Sequence, residues 1–266
     1  MMNCSHGSAI PSRVVVGTRV DATSYDLAVA QIQDWIAKGQ PAYVIAANVH
    51  GVMTAWWDPS FREVVNHADL VTPDGMPLVW ALRLLGIPKA TRVYGPDLML
   101  ALCQHCAQSG IPIYLYGSTA LVLEKLQRNL QEQFPGLILA GSHAPPFRSL
   151  TPAEEATDQA RIRESGAKLI FVGLGCPKQE RLMARWRGSV NGVWIGVGAA
   201  FNFHSGTVAQ APRWMMGLGL EWLYRWWQEP RLWRRYLINN PLFLLLCGCQ
   251  ILGWWLKNSL SKRQSH

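Results

Sequence analysis

Asp74 is the carboxylate best placed for chemistry in this 266-residue sequence, because it follows the apolar run Ala68–Val71 and is held between Pro73 and Gly75. A carboxylate at a strand end, on a backbone restricted by its neighbours, can take the proton from an attacking hydroxyl. The same position serves equally well as the N-cap of a helix over Met76–Leu85, a frequent role of Asp. On spacing alone the two readings stand level. Other polar or glycine-rich positions follow the remaining apolar runs: Asn48 and His50, then Gly117 and Ser118, then Gly173 through Gly175, Lys178 and Gln179, and last Gly198 through Asn202. Ligands of an open parallel sheet bind beyond the carboxyl ends of its strands. Glycine turns ahead of helix N-termini let backbone N–H groups approach a phosphate. One such turn is ordinary; three along one edge favour a nucleotide or diphosphate ligand.

Several chemistries lack their signatures. No GxGxxG with a later acidic residue is present, and no GxxxxGK[ST], which argues against a dinucleotide oxidoreductase and a P-loop NTPase. No D-x-D pair is present to bridge a metal to a sugar diphosphate, so neither a metal nor a cofactor is expected. A departing diphosphate would then be neutralised by Arg, Lys and helix dipoles.

These positions need a scaffold, and the pattern of apolar runs supplies one. A short strand pair over Val14–Val20, broken at Gly17, precedes a helix over Asp26–Lys38 in which Val29, Ile32 and Ile36 share a face. A strand at Tyr43–Ala47, a helix over Val52–Asn66, a strand at Ala68–Val71 and a helix over Leu78–Leu85 come next. From Pro112 strands at Ile113–Tyr116, Leu137–Ala140, Leu169–Val172 and Val193–Val197 alternate with helices over Leu121–Phe134, Pro152–Ser165 and Lys178–Trp186. Strand, turn and helix in repetition predict an α/β, Rossmann-like parallel sheet with helices on both faces. That unit is expected to occupy residues 1–206.

Residues 207–266 read differently. They carry eight Lys/Arg against Glu221 and Glu229, hence +6 of the chain's net +8, and seven of its 13 Trp. Helices are expected over Gly219–Gln228 and Arg231–Leu237, followed by the apolar stretch Pro241–Leu256. At about 16 residues that stretch is short for a bilayer span, so a shallow, in-plane helix is expected. Tryptophans interleaved with arginines suit an anionic membrane surface better than a nucleic acid, which has no use for the apolar run. The N-terminus shows no apolar signal segment, and six cysteines do not resemble an oxidised framework. Cys103 and Cys106 are expected to be buried core thiols in a cytosolic protein.

A further pattern lies in the order of short motifs: Asn48-Val-His50, Asp58-Pro59, Ala68 through Gly75, Arg92-Val-Tyr-Gly95-Pro-Asp97, Gly173-Leu-Gly175-Cys-Pro177-Lys178-Gln179-Glu180, Gly196-Val-Gly198-Ala-Ala-Phe201, Ala211-Pro-Arg-Trp214 and Gly219-Leu-Glu221-Trp222 with Glu229-Pro-Arg231. Together, over roughly Val14 to Leu237, they resemble the WecG/TagA/CpsF family of bacterial glycosyltransferases. The resemblance implies a GT-E fold and an inverting, metal-independent transfer from a UDP-sugar to a sugar on a polyprenyl diphosphate, in surface or exopolysaccharide synthesis. It assigns the base to Asp74 and substrate contacts to Asn48, Arg92 and Gln179, with Arg225, Arg231 and Arg235 on an appendage that closes over the site. The chain departs from the family pattern at Ala46, Asn202 and Leu232. No cation is evidently dedicated to a uronic carboxylate, so a hexose or N-acetylhexosamine donor is expected. The implied partners are the UDP-sugar, the lipid-linked acceptor and an anionic surface at the cytoplasmic face of the plasma membrane, with homo-oligomers open and no nucleic acid. The alternatives are a nucleotide-dependent oxidoreductase and a non-catalytic basic adaptor.

Overall fold

The computed structural model describes residues 10–229 and 233–264, the side chains of 234, 235 and 260–264 excepted. A hairpin of β1 (Ser12–Val15) and β2 (Thr18–Asp21) turns at Gly17 and leads into α1 (Tyr25–Ala37), whose first turn is capped by Ser24. The Asp21 carboxylate accepts from the Val71 N–H at 2.7 Å and so fastens the hairpin to the sheet.

The main sheet contains β3 (Ala42–Ala47), β4 (Leu70–Pro73), β5 (Ile113–Gly117), β6 (Leu139–His143), β7 (Leu169–Gly173) and β8 (Val193–Gly196). Its order is β4-β3-β8-β7-β5-β6, and every pairing is parallel. Side chains alternate across it. Tyr43, Ile45, Ile170, Val172 and Trp194 feed one core, while Val44, Leu169, Phe171, Val193 and Ile195 feed the other. Strands buried on both faces lose the polar alternation of a half-exposed sheet, which is why they read as continuous apolar runs.

The helix expected over Val52–Asn66 is two helices, α2 (Val49–Trp57) and α3 (Pro59–Asn66). Asp58 is extended (φ −126°, ψ 96°), as a residue before proline prefers, and its carboxylate caps α3 through the Phe61 N–H. The crossover from β4 to β5 holds α4 (Met76–Leu84) and α5 (Gly95–Ser109), where Cys103 and Cys106 are buried in the core. The helices α6 (Ala120–Gln133), α7 (Pro152–Glu164) and α8 (Lys178–Trp186) complete the alternation.

Beyond β8 the described chain is helical: α9 (Ala200–His204), α10 (Arg213–Gly217), α11 (Glu221–Gln228) and α12 (Trp233–Gln264). The separate helices expected before and after Pro241 are one, since Pro241 lies inside α12. The apolar stretch therefore extends over Tyr236–Ser259, 24 residues, which by length and composition is enough to cross a membrane. That corrects the sequence argument from length. The helix is two-sided, however. Tyr236, Phe243 and Cys247 are buried, and Gln250 accepts from the Val16 N–H at 2.9 Å and donates to the Val14 carbonyl at 2.5 Å. The opposite face exposes Leu237, Ile238, Leu244, Leu245, Leu252 and Leu256.

Candidate active site

Two neighbouring cavities open at the carboxyl ends of β3, β4, β7 and β8. One, of about 170 Å³, is lined by the ends of β3 and β8, the β7–α8 turn and Gln179. The other, of about 410 Å³, is apolar, walled by Met76 and Trp80 of α4, Met216, Leu218 and Trp222 of the tail, and Phe243 and Leu244 of α12. Asn48, His50, Asp74, Glu221 and Arg225 line both. Asp74 therefore stands where the more polar of the two chambers meets the apolar one.

The two readings of Asp74 resolve in an unexpected way. Gly75 is the N-cap residue of α4, and no side chain caps that helix. Asp74 Oδ1 instead accepts from the Gly95 N–H at 2.8 Å and so serves the first turn of α5, which Tyr94 leaves uncapped. Its own backbone N–H donates to Ala47 O at 2.8 Å and Thr72 O at 3.0 Å, fixing the strand end. Oδ2 keeps only a long contact of 3.5 Å from Asn48 Nδ2. One oxygen is thus held and the other is left to the cleft. Burial pushes the carboxyl up to about 6, opposed by Arg92, supported by Glu221 and again opposed by the Gly95 N–H.

Arg92 ties the tail to this carboxylate. Its Nε donates to the Asp74 carbonyl, Nη2 to Glu221 Oε2 at 2.8 Å and Nη1 to the Met216 carbonyl at 3.4 Å. Its guanidinium stacks over the Tyr94 ring at 4.3 Å, and the Tyr94 hydroxyl donates to Glu221 Oε1 at 3.2 Å. The Arg92–Glu221 pair is largely buried, and an ion pair removed from water is costly to break on one side only.

The remaining expected residues divide by position. Asn48, Asp74, Gly175, Gln179, Gly198 and Arg225 line the polar cavity, and Arg92 lines the apolar one. Gly117, Ser118, Gly173 and Lys178 line neither, and the Lys178 side chain is exposed. Arg231 lies outside the described residues, as does the Arg235 side chain. The glycines also do other work than offering N–H groups to a phosphate. A Cβ at Gly173 would lie 2.5 Å from the Phe201 ring, and one at Gly117 would lie 2.7 Å from the Gly173 backbone, so both are needed for close packing. The Gly175 and Gly198 N–H groups both donate to Gln179 Oε1, at 3.2 and 3.1 Å. Glu221 and Tyr94 were not foreseen as site residues. The signal for Glu221 was an acid opening a helix in a strongly basic segment.

The Glycosyl transferase WecG/TagA/CpsF family matches residues 13–257, and the chain belongs to that family. It is a glycosyltransferase. Among its relatives, a protein of Bacillus spizizenii named N-acetylglucosaminyldiphosphoundecaprenol N-acetyl-beta-D-mannosaminyltransferase is 29% identical over 204 residues, 76% of this chain and 77% of its own.

The electrostatics predict the acid side of the rate profile. A base must be ionised to accept a proton, so a reaction in which Asp74 is the base should slow roughly tenfold per unit below about pH 6. Glu221 raises the Asp74 carboxyl, so Glu221→Gln should move this limb to lower pH. A limb that stays in place, measured as kcat/KM against pH, contradicts the coupling of the tail to Asp74.

Proposed function

We propose that this glycosyltransferase moves a hexose or N-acetylhexosamine from a UDP-sugar to a sugar carried on a polyprenyl diphosphate, with inversion, in building a cell-envelope polysaccharide. The observation that carries the reading is Asp74, held by α5 through one oxygen, with the other turned to a cleft that is of mixed polarity on one side and apolar on the other. The name of the Bacillus spizizenii relative, which specifies an undecaprenol-linked acceptor, supports the same acceptor class here.

The step is a single displacement. The acceptor hydroxyl oxygen bonds to the anomeric carbon as the bond from that carbon to the UDP oxygen breaks. The electron pair leaves with UDP, and the hydroxyl proton goes to Asp74 Oδ2. Asn48 steadies the carboxylate from β3, and the positive end of α5 at Gly95 favours its ionised form. Arg225, a described tail cation that lines both cavities, neutralises the departing diphosphate in this reading. The sequence has no D-x-D pair, which favours charge neutralisation by such cations and helix ends over a bridging metal.

The apolar chamber receives the start of the lipid, and α12 lies along the membrane. Its inner face is pinned by Phe243, Cys247 and Gln250, while its outer leucines, like Trp227 on α11, are exposed. A helix with one face fastened to the protein along its length suits a shallow, in-plane position at the headgroup boundary. Residues 207–266 act in this reading as an appendage that both completes the site and reaches the cytoplasmic face of the bilayer.

Two measurements check this function. With UDP-sugar and a short-chain lipid-diphosphate sugar, Asp74→Asn should preserve donor binding and reduce UDP release by about 10²–10⁴-fold, the usual worth of a general base. Retention of most of the rate removes Asp74 from that role. Leu245→Glu with Leu252→Glu should abolish sedimentation with vesicles containing anionic lipid and leave UDP affinity unchanged. Sedimentation at the original level would rule out the outer face of α12 as the membrane contact.

A further inference from the structure

Glu180 is a buried carboxyl for which the displacement has no use. It is 3% exposed on the first turn of α8 and lines the polar cavity beside Gln179. Burial pushes it up to about 7, with its own backbone N–H, the Gln179 amide and the Cys176 side chain opposing the rise. Burying a carboxyl costs stability, and an apolar side chain of similar volume would serve packing alone at least as well. Its cost therefore points to another role.

That role follows from the hydrogen bond it accepts from Gln179. Gln179 Nε2 donates to Glu180 Oε1 at 2.9 Å, while Gln179 Oε1 accepts from the N–H groups of Gly175 and Gly198 at 3.2 and 3.1 Å. Those two N–H groups belong to the turns after β7 and β8, so one side-chain oxygen holds two strand ends together. The amide works only in this orientation. Turned over, it would set NH₂ against two N–H donors and lose both bonds. An acceptor beside Nε2 prevents the turn, and Glu180 is that acceptor. Space is made for the same group by Gly196, where a Cβ would lie 2.9 Å from Gln179 Nε2.

We propose that Glu180 is a positioning residue for the nucleotide-sugar: it orients the Gln179 amide, which keeps the Gly175 and Gly198 turns in the shape that receives the donor. The inference rests on the proposed function, in which the apolar chamber takes the lipid, and it gives the UDP-sugar the chamber on the other side of Asp74. It assigns Glu180 an effect on donor affinity without a part in the proton transfer, and it makes the acceptor oxygen at position 180, rather than a charge, the required feature.

The test uses the full-length protein and UDP as the probe, with affinity from calorimetric titration, Tm from thermal unfolding and KM and kcat for the donor. Glu180→Met should weaken UDP roughly tenfold, the scale of one lost buried hydrogen bond with its geometry, at an unchanged or higher Tm. Its donor KM should rise while kcat at saturation changes less than about threefold. Glu180→Gln, which restores an acceptor oxygen, should bind UDP within about twofold of the original. Because both residues act through one amide, Gln179→Met with Glu180→Met should be no weaker than Gln179→Met alone. The proposal is overturned if Glu180→Met binds UDP as before, loses its fold, or multiplies the effect of Gln179→Met, or if Glu180→Gln is as weak as Glu180→Met. Absence of UDP binding by the unaltered protein would instead overturn the reading of the chamber, and this inference with it.

Discussion

The hydrogen bond from the Gly95 N–H to Asp74 Oδ1 is the constraint on which the site depends. It joins the end of β4 to the start of α5, and it divides one carboxylate between two tasks. The held oxygen orients the group and satisfies a helix N-terminus that has no side-chain cap of its own. The other oxygen stays on the cleft. Gly95 is well suited to the donor's place, since a Cβ there would press on Ala46 at 3.2 Å. In the proposed displacement a carboxylate fixed in this way needs no reorganisation when the acceptor arrives, and a value raised to about 6 leaves it both ionised and basic at neutral pH.

The tail is built around the same carboxylate. Arg92 reads the Asp74 backbone with Nε and Glu221 with Nη2, so the position of α11 is communicated to the strand end that carries Asp74. Glu221 in turn holds Arg92 and the Tyr94 hydroxyl, leaving Arg225 one turn further along to line both chambers. Further along the same tail, α12 carries Phe243 into the core and turns leucines away from it, and both Phe243 and Leu244 wall the apolar cavity beside Glu221 and Arg225.

Much of this was legible in the sequence for definite reasons. Strands buried on both faces give unbroken apolar runs, and the glycine turns that end them marked the working edge of the sheet. The candidate Asp74 stood out by position, but its partner did not, because Gly95 is 21 residues away and donates through its backbone. Glu221 was hidden for a stronger reason, as it meets Arg92 across 129 residues. The glycine turns misled in detail. Spacing shows that a backbone can approach something closely, but not whether the neighbour is a phosphate, a phenyl ring or a glutamine amide. Pro241 looked like a helix boundary because proline often is one, whereas here it lies within α12. Asp58-Pro59 was read as a motif, yet one helix was expected to run through it, although a residue before proline resists the helical conformation.

The central claim, a single displacement driven by Asp74, is tested most directly by the stereochemistry of the product. Proton NMR on the first product formed from an anomerically pure UDP-sugar and a short-chain lipid-diphosphate acceptor gives the configuration at the transferred carbon. Attack by a hydroxyl deprotonated at Asp74 Oδ2 predicts the opposite anomer to that of the donor. Retention of the donor's configuration would contradict the account.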